Sequence, residues 1–272
     1  MDFRFDHIVH YTNNPERAVG QMKAFGFHAQ MGGQHPDWGT YNGLCHFDLS
    51  YIEFIGVEDI HKAESVADNF LIKQIAAEKD LGDGLCRIAL RTNDIEQAGE
   101  WFRQKGLIIK GPVEGSRRRA DGSLLKWSML FIEDQESDPY HLPFIIDWKQ
   151  TDEERRKTLI NQQIIKRHCL HDAKLAYAAV AVKDLETSIM KWKKWFHLDD
   201  KPIVFNKKLN ARYCKLLLKG TDILLCSPTG DGLVADTLKQ RGERPFLLKL
   251  SETKVEKKAD LFGGTYLFGN ND

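Results

Sequence analysis

The sequence predicts an α+β protein assembled from repeated β-α-β-β-β units. Three observations carry this. A strand–turn–helix pattern recurs three times, a helix-capping residue falls at the same place in each copy, and strand-like runs follow each helix.

The copies open at residues 5–16 (FDHIVHYTNNPE), 85–96 (LCRIALRTNDIE) and 175–186 (LAYAAVAVKDLE). Each is an apolar strand followed by a polar turn. Asn14, Asp94 and Asp184 stand where a helix N-cap belongs, because their short side chains can accept from the unpaired amides of a first turn. The segments PERAVGQMKAFGF, IEQAGEWFRQKGL and LETSIMKWKKWFHL then read as helices, and Gly26 and Gly106 close the first two. Behind them come the strand-like pairs TYNGLCHFDL and SYIEFIGVED, LLKWSMLFI and HLPFIIDWKQ, and ARYCKLLLK and TDILLCSP. RPFLLKLSE (244–252) begins a fourth unit with too little chain after it to complete one. The charged run at 152–172 lacks Gly and Pro and reads as a partly helical linker. The expected organisation is a first domain over 1–150 with two units, a linker over 151–171, and a second domain over 172–272 with one full and one truncated unit.

Composition narrows the function. The 272 residues carry 39 basic and 39 acidic side chains, and no basic stripe interleaved with aromatics. Nucleic acid is therefore not an expected partner. No apolar run approaches the roughly 18 residues that span a bilayer, and the N-terminus lacks a signal peptide's pattern, so a cytoplasmic protein away from membranes is expected. The five cysteines form no CxxC pair and fit free thiols.

FDHIVHYTNNPERAV (5–19), GGQHPDWGTYN (32–42), SYIEFIG (50–56), SRRRADGSLLKW (116–127) and HLPFIIDW (141–148) resemble the vicinal-oxygen-chelate superfamily. That superfamily includes glyoxalase I, extradiol dioxygenases and bleomycin-resistance proteins, and the resemblance is strongest to its glyoxalase-like branch. It implies curved mixed sheets around an open cleft, with helices on the outer face. Where a metal is used, the first and last strands of each unit supply its ligands.

Strand alternation tests those positions. Phe5, His7, Val9 and Tyr11 share one face of the first strand, while Ile8 and His10 take the other. At the position of His7 the later copies carry Arg87 and Tyr177, polar-tipped residues that suit a cleft better than a helix-packed core. In SYIEFIG, Tyr51, Glu53 and Ile55 share a face, and a buried carboxylate there needs a compensating charge or hydrogen bond. The resemblance implies that His7 and Glu53 are metal ligands, with a divalent Zn, Mn, Ni or Fe(II) as the fitting ion and no organic cofactor. The second unit departs from the pattern. Arg87 cannot bind a metal, and the last-strand position falls on Phe144, or on Asp147 if the register slips. His35, from the loop before the second strand, is the candidate third ligand or general base, and solvent is the other option.

Each assignment has a structural counterpart: a hydrogen-bonded histidine for His7, an ion pair with Arg87 for Glu53, a loop histidine for His35. Trp38 and Asn42 are candidates for an apolar wall and a hydrogen-bonding tip, and Arg117 and Arg119 for an anion clamp on one side of a hairpin around Ala120-Asp121-Gly122. Trp127 reads as core. The second domain lacks a histidine–carboxylate pair and is expected to be structural or to form a homodimer, with LKQRGERPF and ETKVEKKAD as solvated surface.

Two functions follow. One is a metal-assisted lyase, isomerase, hydrolase or dioxygenase in which Glu53 and His35 act on a small oxygen-rich molecule. The other is a metal-free protein that sequesters a small anionic ligand between Arg87, the arginine-rich hairpin and Trp38.

Overall fold

The computed structural model describes residues 1–118, 124–135, 142–169, 172–254 and 256–270. The first unit is β1 (Arg4–Tyr11), α1 (Pro15–Ala24), β2 (Ala29–His35), β3 (Thr40–Phe47) and β4 (Ser50–Val57). Helices α2 (Ile60–Ser65) and α3 (Phe70–Glu78) lead to β5 (Gly84–Arg91), α4 (Ile95–Gln104), β6 (Ile108–Arg118), β7 (Leu124–Glu133) and β8 (Phe144–Asp147). Helix α5 (Asp152–Asn161) connects to β9 (Lys174–Ala181), α6 (Leu185–Phe196), β10 (Asp199–Asp200), β11 (Val204–Asn206), β12 (Ala211–Leu217) and β13 (Asp222–Pro228). The remainder is α7 (Leu233–Arg241), β14 (Arg244–Ser251), β15 (Lys257–Leu261) and β16 (Gly264–Phe268).

Two mixed sheets result. The first runs β2-β3-β4-β1-β5-β8-β7-β6, and the second runs β10-β12-β13-β9-β14-β16-β15 with β11 on β12. In the first, β1 pairs parallel with β4 and antiparallel with β5, so the opening strands of both units lie side by side at the centre. The caps form as the sequence indicates: Asn14, Asp94 and Asp184 accept from the amides of Arg17, Gln97 and Thr187. Gly26 and Gly106 sit at φ 84° and 88°, the left-handed turn that ends α1 and α4.

One continuous core joins the two sheets. It buries Ile8, Ile52, Ile88 and Leu90 of the first together with Ala178, Val180, Leu248 and Tyr266 of the second, along with side chains of α1, α4 and α6. Each concave face holds a separate cluster. In the first sheet α2 and α3 pack there, with Ala63, Leu71, Ile72 and Ile75 against Val9, Ala89 and Phe131. In the second, Val234 of α7 packs against Tyr177, Ala179 and Leu247.

Two sequence expectations are corrected. Most of GGQHPDWGTYN is strand: β2 pairs with β3 and ends at His35, so only a tight turn separates His35 from Thr40. Glycines suit this strand because Asn42 Oδ1 and Leu44 Cγ lie 2.2 and 2.9 Å from where a Cβ on Gly32 would stand. LKQRGERPF is not solvated surface either. Arg244 is buried and pairs with Glu78 of α3 at 3.0 and 3.2 Å, and Arg241 donates to the Asp83 carbonyl at 2.7 Å. These contacts tie the second sheet to the first. Among the described residues, no helix is long and apolar enough to cross a membrane. The cysteines are free, and all but Cys169 are buried.

Candidate functional site

The site begins with an irregularity in β1. Phe5 pairs with Leu90 and His7 with Ala89, so Asp6 is one residue in excess of its partner strand. Such a bulge re-aims side chains. Asp6 is fully buried, and its Oδ1 lies 2.7 Å from Nδ1 of the adjacent His7. Its Oδ2 accepts from Trp148 Nε1 and from Arg155 Nη1, both at 3.0 Å. Burial alone would raise this carboxyl's pKa. The Arg155 charge reverses that, with the bond to His7, the His7 charge and Arg91 adding to it, and holds the group well below the usual carboxylate range. Asp6 is therefore an acceptor only, so His7 Nδ1 carries a proton and donates it.

The other ring nitrogen, Nε2, faces Glu53 Oε2 at 3.5 Å. Glu53 Oε1 accepts from Asn42 Nδ2 at 2.6 Å. The parallel pairing of β1 and β4 sets Tyr51 beside His7, and the rings stack at 4.6 Å. Tyr51 in turn stacks on His46 at 4.5 Å. With Nδ1–H given to Asp6, Nε2 and the Glu53 carboxylate are two acceptors facing each other. They need a proton, or a donor from a bound molecule, between them.

His7, Glu53, His35, Trp38, Asn42 and Arg117 all line one inner cavity of about 70 Å³. His35 Nδ1 lies 3.1 Å from Thr40 Oγ1, and its ring packs between Trp38 and Trp127. Burial lowers the His35 pKa, Glu53 opposes this and Arg117 adds to it, so the ring is neutral at neutral pH. Arg117 Nη1 donates to the Gly32 carbonyl at 2.8 Å. Trp127 is buried and lines the cavity as well, serving core and site together.

Arg87 is not brought to this group. Its Nε donates to the Leu142 carbonyl at 2.9 Å, Nη1 reaches Gln74 at 3.4 Å, and the guanidinium lies over Phe131. Burial pushes its pKa down to about 10. The cause is α3, which covers this half of the concave face and supplies Gln74. Phe144 faces the cavity at the last strand of the second unit, and no slip to Asp147 occurs. Arg119 lies outside the described residues.

The expected metal set is not assembled. Among the described residues, no group of three or more His, Cys, Asp or Glu side chains is placed to hold a metal ion. His7 Nε2 and Glu53 Oε2 supply two donors, fewer than the three protein ligands a catalytic zinc keeps, and the Arg117 guanidinium lines the same cavity. These residues do not fit a resident divalent metal.

Sequence reading missed Asp6, Trp148 and Arg155. For Arg155 a signal existed. Thr151-Asp152-Glu153-Glu154 is a capping-box pattern, and both of its reciprocal bonds form at the start of α5.

The profile of the glyoxalase-like domain matches residues 5–196. The chain belongs to the glyoxalase-like family. Its fold is that of the vicinal-oxygen-chelate proteins. A hypothetical protein from Staphylococcus aureus aligns over 98% of this chain and 100% of its own, with 25% identity and a TM-score of 0.79. A mutant 4-hydroxymandelate synthase from Streptomyces coelicolor aligns over 94% of this chain and 72% of its own, with 11% identity and a TM-score of 0.58. A methylmalonyl-CoA epimerase from Streptomyces coelicolor aligns over 54% of this chain and 98% of its own, with 18% identity and a TM-score of 0.39. No match was found among curated proteins. For this member of the family, the first two likenesses establish fold and not substrate.

Proposed function

We propose that this glyoxalase-like protein is a proton-transfer enzyme of isomerase or lyase type, acting on a carbon beside the carbonyl of a hydroxy-carbonyl substrate. The observation that carries the reading is Glu53. It is a nearly buried carboxylate with one oxygen fixed by Asn42 and the other facing His7, at the end of a small cavity. In this reading Glu53 is the general base. The proton Glu53 takes passes from Oε2 to Nε2 of His7, which Asp6 orients, and His7 returns it from Nε2 to the substrate. Neutral His35 donates or accepts at the substrate oxygens, Arg117 offsets the negative charge that develops on the carbonyl oxygen, and Trp38 walls the cavity against water. A positioned base of this kind contributes about 10²–10⁴ in rate.

The sequestering alternative rested on Arg87, the arginine-rich hairpin and Trp38, and of these the Arg87 guanidinium is engaged by Leu142 and Gln74. Among the described residues, Arg117 is the arginine that lines the inner cavity.

The test is solvent deuterium incorporation, followed by proton NMR, into hydroxyacetone, 1-hydroxy-2-hexanone and 1-hydroxy-2-decanone. The expected result is exchange above the buffer rate with the native protein and at least about 100-fold less with Glu53→Gln. Exchange that survives Glu53→Gln, or no exchange with any of the three, overturns the proposal.

A further inference from the structure

The inner cavity is small. Its volume of about 70 Å³ is well under the roughly 300–1,000 Å³ of a site for a drug-sized ligand. A small oxygenated head fits there, and the rest of a larger substrate that reaches Glu53 has to lie elsewhere.

The adjoining space is large. A second cavity of about 710 Å³ shares Leu44, Tyr51, Arg117, Leu125 and Trp148 with the inner one. That volume is the size of a site for a drug-sized ligand, roughly 300–1,000 Å³. One side is β2, with Gln30, Met31 and Gln34, and the other is α5 and the turn after it, with Thr158, Leu159, Gln162 and Ile164. Among the described residues, a third cavity shares His35 and Trp38 with the inner one, and carries Asp37, Asp68, Glu114 and Lys126.

The lining of the large chamber indicates what it accepts. Amide and hydroxyl groups alternate with Met31, Leu125, Leu159 and Ile164. Among the described residues, its charged side chains are Asp37, Arg117 and Arg155, and Arg155 is bound to Asp6. Gln162 Oε1 is buried with no hydrogen-bond partner, the condition of a group that a ligand completes.

We infer that the substrate is elongated: a small oxygenated head enters the inner cavity, and an uncharged amphipathic tail lies between β2 and α5 in the outer chamber. The head's identity rests on the proton-transfer reading given above, whereas the tail site does not depend on it. The segment between the two sheets is thus a wall of the binding site.

The test uses N-methyl-, N-butyl- and N-octylglycolamide, with binding followed by tryptophan fluorescence and calorimetry. Binding is expected to tighten by up to about fourfold per added methylene, the worth of burying one such group, until the chamber is filled. Leu159→Trp occupies the chamber and should flatten that dependence. Met31→Trp, at a residue 42% exposed and so tolerant of change, is the second obstruction. Glu53→Gln should keep the chain-length dependence, which separates failure of the tail site from failure of the proposed catalysis. The inference is overturned if affinity ignores chain length, if both tryptophan variants retain the dependence, or if no member of the series binds.

Discussion

Arg155 Nη1 sits 3.0 Å from Asp6 Oδ2, although 149 positions separate the two residues. The guanidinium also lies 4.0 Å over the Trp148 ring, and both members of the pair are shielded from solvent. The contact fixes Asp6, and Asp6 fixes His7. Removing one member leaves a buried charge without its partner, which typically costs about 3–5 kcal/mol. Asp6→Asn and Arg155→Met should each lower the urea midpoint accordingly, and the double variant should recover much of the loss. Additive losses would show that the two charges are not coupled.

The pair also shows what a sequence withholds. His7 and Glu53 could be placed in the cleft from alternation alone, because a strand's period of two leaves each residue one of two faces. The three N-caps were legible for a similarly local reason. Asp6 was not, since a bulge depends on the partner strand. Arg155 was hidden in DEERRK, which has the composition of solvated surface. Arg87 obeys the face assignment, yet its guanidinium is taken up by Leu142 and Gln74. That outcome depends on α3 lying over this half of the sheet, and neither α3 nor its placement was read from the chain.

Two buried histidines make stability sensitive to acid. Burial pushes the His10 pKa down to about 4 and the His46 pKa down to about 3. In the unfolded chain both titrate near the ordinary value of about 6.5. Between those values the unfolded state binds more protons, so stability falls as pH falls. The stabilisation is complete above about pH 6.5 and declines by about 1.4 kcal/mol per unit for each residue until its folded pKa is reached. The unfolding free energy from urea titrations should therefore drop from pH 7 to pH 5, by about 2 kcal/mol per histidine. His10→Gln should remove its share of the slope, though it also loses the contacts to Tyr266 and the Phe262 carbonyl at 2.6 and 2.7 Å. A slope unchanged in that variant would contradict the assignment.

The union of the two sheets should depend on Arg244. Its pair with Glu78 is largely desolvated, with side-chain exposures of 5% and 20%. Arg244→Ala should destabilise the protein by about 3 kcal/mol. Raising salt from 0.05 to 0.5 M should change that difference little, because a buried pair is weakly screened. A difference that vanishes in salt would make this an ordinary surface ion pair.

Gly32 connects strand geometry to the candidate chemistry. A Cβ at this position would meet Asn42 Oδ1 at 2.2 Å and Leu44 at 2.9 Å, so Gly32→Ala forces Asn42 to move. Asn42 Nδ2 holds Glu53 Oε1 at 2.6 Å, and displacing it frees the carboxylate to rotate away from His7. Small misplacements of a reacting group cost on the order of 100-fold in rate. Gly32→Ala should therefore slow deuterium incorporation into the hydroxyketones by about that factor. Asn42→Ala should act in the same direction, by removing the bond instead of displacing it. For Asn42→Ala the affinity of N-octylglycolamide should fall much less than the rate, since Asn42 does not line the outer chamber that takes its chain. If Gly32→Ala leaves the exchange rate untouched, the Asn42–Glu53 bond has no part in placing the base.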